Sequence, residues 1–118
     1  DGSVQAAFRQ ATRDVELAGT KISKGDILTL LYGSANHDDR QFPDGDRFDI
    51  FRNTQGHMGF GFGVHFCLGA SLARLEATIA LETLLTRLPN LQRVEGELER
   101  LDSFLVRGPK RLPLRYDN

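Results

Sequence analysis

Five glycines, Gly56, Gly59, Gly61, Gly63 and Gly69, crowd the stretch that holds the only cysteine of the chain, Cys67. Glycine at that density means that the backbone must enter the left-handed region or come very near another group. From Ala70 to Leu88 the pattern turns helical. Leu72, Leu75 and Ile79 share a face, Leu81, Leu84, Leu85 and Leu88 are read as continuing an apolar stripe, and the stripe is expected to be core. Arg87 in the last turn and Pro89 behind it mark the helix stop. Cys67 therefore stands at the end of a glycine-rich loop and just before a long helix. Free N–H groups and the positive end of the helix dipole favour a thiolate there. A thiolate serves as nucleophile or as metal ligand, and the surroundings must decide between them.

The flanks of this loop are β-like or irregular. Val15 and Leu17 alternate with polar residues, Ala18-Gly19-Thr20 suits a turn, and Lys21-Ile22 suits a return. Lys24-Gly25-Asp26 punctuates, and Ile27 to Tyr32 reads as a half-buried or buried strand. Positions 34–58 are polar and turn-rich, a meander of the kind that is usually functional or wrapped around something. After the helix, Phe104-Leu105-Val106 and Leu112 to Tyr116 flank Gly108-Pro109, which suggests a hairpin. The expected organisation is α+β: a β region at 1–33, the meander at 34–58, the cysteine loop at 59–69, a helix at 70–88 and a β-hairpin region at 89–118.

Length and charge narrow the function classes. At 118 residues the chain suggests one compact unit with enough apolar residues, 40%, for a core. A formal net charge of −1 argues against a nucleic-acid binder, and the 15 scattered Lys and Arg argue against a membrane-surface patch. One cysteine permits no intrachain disulfide, which points to a reducing, cytoplasmic setting. No apolar run is long enough to span a membrane, and the polar Asp1-Gly2-Ser3 start, with no apolar run behind it, is not expected to be a signal peptide. That start also suggests a chain that begins inside a larger protein.

Three features around Cys67 favour a large planar metal cofactor over a small-substrate nucleophile. Phe60, Phe62 and Phe66 surround the thiol and are expected to make an apolar pocket that keeps water from a sulfur–metal bond. Gly63 and Gly69 remove side chains where a flat macrocycle lies close to the backbone. His65, two residues before the cysteine, is placed to hydrogen-bond a carboxylate at the edge of such a ring. Competing motifs fail. Phe66 stands where a dinucleotide fingerprint needs its third glycine, and no Lys-Ser or Lys-Thr follows to make a phosphate loop. One Cys and three scattered His do not supply the paired ligands of structural zinc. A cysteine hydrolase needs a poised basic His, which a thiol crowded by phenylalanines fits poorly. His37 and His57 are read as surface or structural.

The spacing Phe60-x-x-Gly63-x-x-x-Cys67-x-Gly69 resembles the cysteine-loop signature of the cytochromes P450, and Gly69-Ala70-Ser71-Leu72-Ala73-Arg74-Leu75-Glu76 resembles the start of the helix behind their haem. Further matches run along nearly the whole chain. Arg9 to Leu17 resembles the strand whose first Arg pairs with a haem propionate. Ala35-Asn36-His37-Asp38, Phe42-Pro43-Asp44 and Asp46-Arg47-Phe48-Asp49 resemble the segment before the loop, though soluble bacterial members more often carry Arg at position 37. Leu112-Pro113-Leu114 resembles the closing strand. The resemblance implies haem b with Cys67 as axial ligand and Arg9 and His65 as propionate partners. It also implies Phe60 as the shield of the sulfur, and Phe104-Leu105-Val106 as a hairpin tip that touches substrate. In haem-thiolate enzymes the thiolate pushes electron density to the iron and favours O–O cleavage.

The implied activity is monooxygenation of a small hydrophobic organic substrate with electrons from a ferredoxin- or flavodoxin-type donor, and Arg74 is expected on the donor's docking face. The family's long helix across the haem, with its proton-guiding acid and alcohol, and its Glu-x-x-Arg helix do not occur here. Glu97 and Arg100 have that spacing but lie on the wrong side of the cysteine. A C-terminal fragment of this kind is expected to expose apolar helix faces, to self-associate, to bind haem weakly or not at all and to be inactive by itself. The alternative is a small self-contained haem-binding or interaction module without catalysis.

Overall fold

The structure, a computed structural model, describes residues 2–117. It divides into two compact units. One is built from the chain up to Gly59 together with Ser103–Arg107, the other from Phe60–Asp102 and the chain from Gly108 onward.

The first unit is held by an antiparallel pair, β1 (Ala6–Gln10) with β4 (Ile27–Leu31), running from Ala6 opposite Leu31 to Gln10 opposite Ile27. Between them the chain makes a tight hairpin of β2 (Val15–Leu17) and β3 (Thr20–Ile22). Its two-residue loop is Ala18 (φ 50°) and Gly19 (φ 78°), the double positive φ whose twist matches that of the flanking strands. The stretch from Arg9 to Leu17 is therefore not one strand. The carboxylate of Asp14 accepts the Lys24 N–H at 2.7 Å, and the Ala11 N–H donates to the Asp26 carbonyl at 2.9 Å, so the chain bends between β1 and β2. Strand β4, expected half-buried or buried, leaves Ile27, Leu30 and Leu31 exposed.

A single helical turn, α1 (Tyr32–Ala35), leads into the meander. Phe42, one of three buried apolar residues described (with Ala6 and Ala70), sits within it. The meander takes its shape from Arg52. That guanidinium donates to the carbonyls of Pro43, Asp44 (2.7 Å) and Arg47 (3.0 Å), drawing three main-chain oxygens onto one cation. His37 Nδ1 meets Asp46 Oδ1 at 2.8 Å.

Nearby, Arg40 grips Asp38 with its Nε (2.9 Å), Nη2 (2.6 Å) and main-chain N–H (3.0 Å). The Arg40 side-chain hydrogen bonds hold the Asp38 carboxyl down at about 2, against 3.8 ordinarily. A depressed carboxylate adds stability above its unfolded value and loses it as pH falls through the folded one. The contact is thus complete above about pH 4 and released near pH 2. In Arg40→Gln, a carboxylate NMR titration is expected to find Asp38 raised toward 3.8 but short of it, because the main-chain N–H of residue 40 still donates to the carboxylate. An unchanged titration would sink this assignment.

The second unit is organised by α2 (Ala70–Arg87). Ala, Leu, Glu and Arg dominate it, all strong helix formers, and no Gly or Pro interrupts. It ends at Leu88, whose N–H still reaches the Leu84 carbonyl at 2.9 Å; Pro89 disfavours helical backbone at the residue before it. The leucines do not form one stripe. With about 3.6 residues per turn, Leu72, Leu75 and Ile79 fall together, but Leu81, Leu84, Leu85 and Leu88 fall on nearly the opposite side. Nor are they core here: Ala70 is the buried residue of α2, and Leu72, Leu75, Ile79, Leu81, Leu84 and Leu85 are 41–65% exposed. A helix apolar on opposite sides is one built to be enclosed.

The C-terminal pairing also differs from expectation. Phe104–Val106 and Leu112–Tyr116 do not pair with each other. Val106 bridges Val4 in the first unit, where Leu105 accepts the Gln5 N–H at 2.8 Å. In the second unit β5 (Gln92–Arg93) pairs with β6 (Leu114–Arg115), and Arg100 bridges Pro109. The physical reason is local. Ser103 Oγ accepts the N–H groups of Leu105 (3.3 Å) and Val106 (3.1 Å), which curls the triplet into a turn. Leu114–Arg115 instead finds Gln92, whose Oε1 accepts from Arg115 at 2.8 and 3.2 Å. One long helix with short paired strands is the expected α+β architecture.

Candidate functional site

The cysteine loop is a closed ring of main chain. The Cys67 N–H donates to the Phe60 carbonyl at 2.8 Å and so ties the loop's exit to its entry. Inside, Gly63–His65 forms a single 3₁₀ turn, with the Phe66 N–H on the Gly63 carbonyl at 3.0 Å. Gly61 (φ 73°) makes the bend possible, and a Cβ there would lie 3.1 Å from the His65 carbonyl oxygen. The Cys67 carbonyl then accepts the Ala70 N–H at 3.2 Å, passing the loop directly into α2.

Cys67 itself is exposed. The expected pocket of three phenylalanines does not form. Phe60 and Phe66 pair, ring centroids 6.3 Å apart and tilted by 55°, but Phe62 is 76% exposed. Phe62 is extended (φ −151°, ψ 156°), past the Gly61 bend that follows Phe60 and ahead of the 3₁₀ turn that leads to Phe66. Val64 and Leu68 are exposed as well. The thiol thus sits on an open apolar surface instead of inside a cage. Over the Phe60 ring lies the guanidinium of Arg74, 4.8 Å from its centroid.

The donor set fits a macrocycle better than a bare ion. Among the described residues no group of three His, Cys, Asp or Glu side chains comes together around a metal position. A bare transition ion needs such a group, whereas haem brings its own equatorial nitrogens and asks the protein for an axial ligand. The glycines agree: a Cβ at Gly63 would meet nothing within 4 Å, and one at Gly69 would meet only Cys67 Sγ at 4.0 Å. Gly63 opens onto free space and Gly69 onto the thiol.

Of the residues singled out from sequence, Phe60, Gly63, His65, Cys67 and Gly69 come together in this loop, His65 exposed at the end of the 3₁₀ turn. Arg9 belongs to the first unit, on β1 opposite Leu28, half-buried, with its Nη1 on the Phe8 carbonyl at 2.7 Å. Phe104, Leu105 and Val106 are also in the first unit and are exposed. A cleft of about 570 Å³ opens in that unit, lined among others by Asn36, Phe42, Arg52 and His57. Of the cysteine loop only Gly59 lines it, so it belongs to the meander. Arg52 and the seat of Arg74 on Phe60 were not legible beforehand. A clamp on main-chain carbonyls leaves no residue-type signature, and the Arg74 contact spans fourteen positions.

The family model for Cytochrome P450 matches residues 3–113. The chain belongs to the cytochrome P450 family. It is 44% identical over 115 residues to cytochrome P450 CYP199A2 of Rhodopseudomonas palustris. To the mycinamicin IV hydroxylase/epoxidase of Micromonospora griseorubida it is 47% identical over 114 residues. These alignments take in 98% and 94% of the chain but 28% and 29% of the relatives, so the chain spans under a third of their length. Among solved P450 structures, CYP109Q5 from Chondromyces apiculatus superposes with a TM-score of 0.91 at 49% identity, over 98% of this chain and 30% of that one. CYP109E1 from Bacillus megaterium, solved with testosterone, gives 0.93 at 42% identity, over 99% and 33%. The fold is thus a portion of the P450 fold. No helix among the described residues is long and apolar enough to cross a membrane.

Proposed function

We propose that this chain supplies the thiolate wall of a haem-dependent monooxygenase, which puts one oxygen atom of O2 into a small hydrophobic organic substrate with electrons from a ferredoxin- or flavodoxin-type donor. Cys67 holds the iron of haem b. Bound there, the haem supplies oxygen activation, with the thiolate pushing electron density to the metal. Arg9 and His65 hold the propionates, Arg9 through a charge-assisted pair. Gly63 and Gly69 leave room for the ring, Phe60 keeps water from the sulfur, and Phe104, Leu105 and Val106 contact substrate. The reading places the protein in the cytoplasm, and the 118-residue stretch alone is inactive because it does not contain the family's proton-guiding helix across the haem.

The observation that carries this proposal is the exposed Cys67 thiol at the mouth of a loop closed by its own N–H on Phe60, within a chain of this family. The test is an absorption spectrum of the chain mixed with haem, reduced and exposed to carbon monoxide. A strongly red-shifted Soret band that disappears in Cys67→Ala is the expected result. A red-shifted band that survives in Cys67→Ala would overturn the assignment of the ligand. No such band in the wild-type chain would overturn haem binding by this stretch.

A further inference from the structure

Phe60 is held at two points within the second unit. Its carbonyl accepts the Cys67 N–H at 2.8 Å, while the guanidinium of Arg74, in the second turn of α2, lies 4.8 Å from its ring centroid. The same ring tilts against Phe66, the residue before Cys67, at 6.3 Å. An aromatic face carries negative charge density and attracts a cation placed over it. Arg74 rides on a regular helix, whereas Phe60 opens a loop that holds three glycines, Gly61, Gly63 and Gly69, so the helix is the stiffer partner.

We propose that Arg74 is a positioning residue for Cys67: its cation over the Phe60 ring anchors the loop entry to α2 and thereby keeps the Phe60 carbonyl on the Cys67 N–H. On this reading Arg74 contacts neither the thiol nor the haem. It acts through Phe60. The contact stands on the geometry of the chain alone; its value for ligation rests on Cys67 being the iron ligand, as proposed above.

The test compares the wild-type chain with Arg74→Met, Arg74→Gln and Arg74→Lys, without haem. Met, Gln and Lys have helix propensities close to that of Arg, and far-UV circular dichroism checks that α2 is kept. An exposed cation–π contact corresponds to a roughly two- to fivefold effect. Hydrogen exchange at the Cys67 amide is therefore expected to quicken about two- to fivefold in Arg74→Met and Arg74→Gln, with shifted Phe60 ring-proton resonances. Arg74→Lys, which keeps the cation, is expected to stay within the wild-type range. Wild-type exchange in Arg74→Met and Arg74→Gln overturns the proposal, and so does equal acceleration in all three variants, because charge would not be the cause. Loss of helix in the neutral variants with a normal Arg74→Lys supports only a structural role and also overturns it. A second arm loads the chains with haem and reads the share of the carbon monoxide complex in the red-shifted band, expected to fall in Arg74→Met and recover in Arg74→Lys. If the wild-type chain shows no such band, haem binding by this stretch fails while the exchange arm still decides the role of Arg74.

Discussion

In solution the 118-residue chain is expected to self-associate, and the cause is α2. Leu72, Leu75, Ile79, Leu81, Leu84 and Leu85 are about half exposed, on opposite sides of the helix. Covering the remainder of each contributes roughly 1 kcal/mol. A symmetric dimer covers one of the two faces, three residues per copy and roughly 6 kcal/mol, against an association cost of roughly 4–15 kcal/mol, and leaves the other face for further copies. The exposed Phe48 and Phe51 of the meander add to the drive. Light scattering after size exclusion is expected to give masses above 13.2 kDa that rise with concentration. In the double variant Leu75→Glu, Leu84→Lys they are expected to fall toward the monomer. A constant 13.2 kDa for the wild-type chain over a wide concentration range would refute this.

Gly61→Ala is expected to open the cysteine loop. A non-glycine residue at φ 73° costs about 1–3 kcal/mol, and the new Cβ would press on the His65 carbonyl oxygen at 3.1 Å. That range corresponds to a roughly 5- to 150-fold loss in the closed population. Exchange of the Cys67 and Phe66 amides should quicken accordingly, and thiolate ligation of haem should weaken. Gly69→Ala is the informative contrast. Its φ of −85° suits any residue, and its Cβ would touch only Cys67 Sγ at ordinary distance. The haem-free loop should therefore be unchanged, while haem binding should fall if the ring lies close to the backbone there. Haem affinity equal to wild type in Gly69→Ala would remove Gly69 from the cofactor site.

The elements whose cues are local were legible in the sequence. α2 runs from Ala70 to Arg87 because helix formers fill it and Pro89 stops it, and the β2–β3 hairpin follows from Ala18-Gly19. The lone Cys67 in its glycine loop was legible for the same reason: spacing along the chain is enough to see it. What escaped depends on distant partners. β1 is a strand because β4 pairs with it, and Val106 bridges Val4 across about a hundred positions, while Leu114 takes Arg93 instead of the nearer triplet. The single stripe assigned to α2 failed on geometry, since the leucines change sides midway. The three-phenylalanine pocket failed because Phe62 stands between two local features, the Gly61 bend after Phe60 and the 3₁₀ turn before Phe66, that set it apart.

Arg52 leaves a different kind of mark on the chain. Each of its partners is a main-chain oxygen, those of Pro43, Asp44 and Arg47. Every amino acid carries that carbonyl, so the clamp is indifferent to which side chains decorate the turn. What positions 43–47 demand of a side chain therefore comes from elsewhere, from pairs such as Asp46 with His37 and Arg47 with Asp44 and Asp49, and the clamp itself asks only for the backbone path and one arginine.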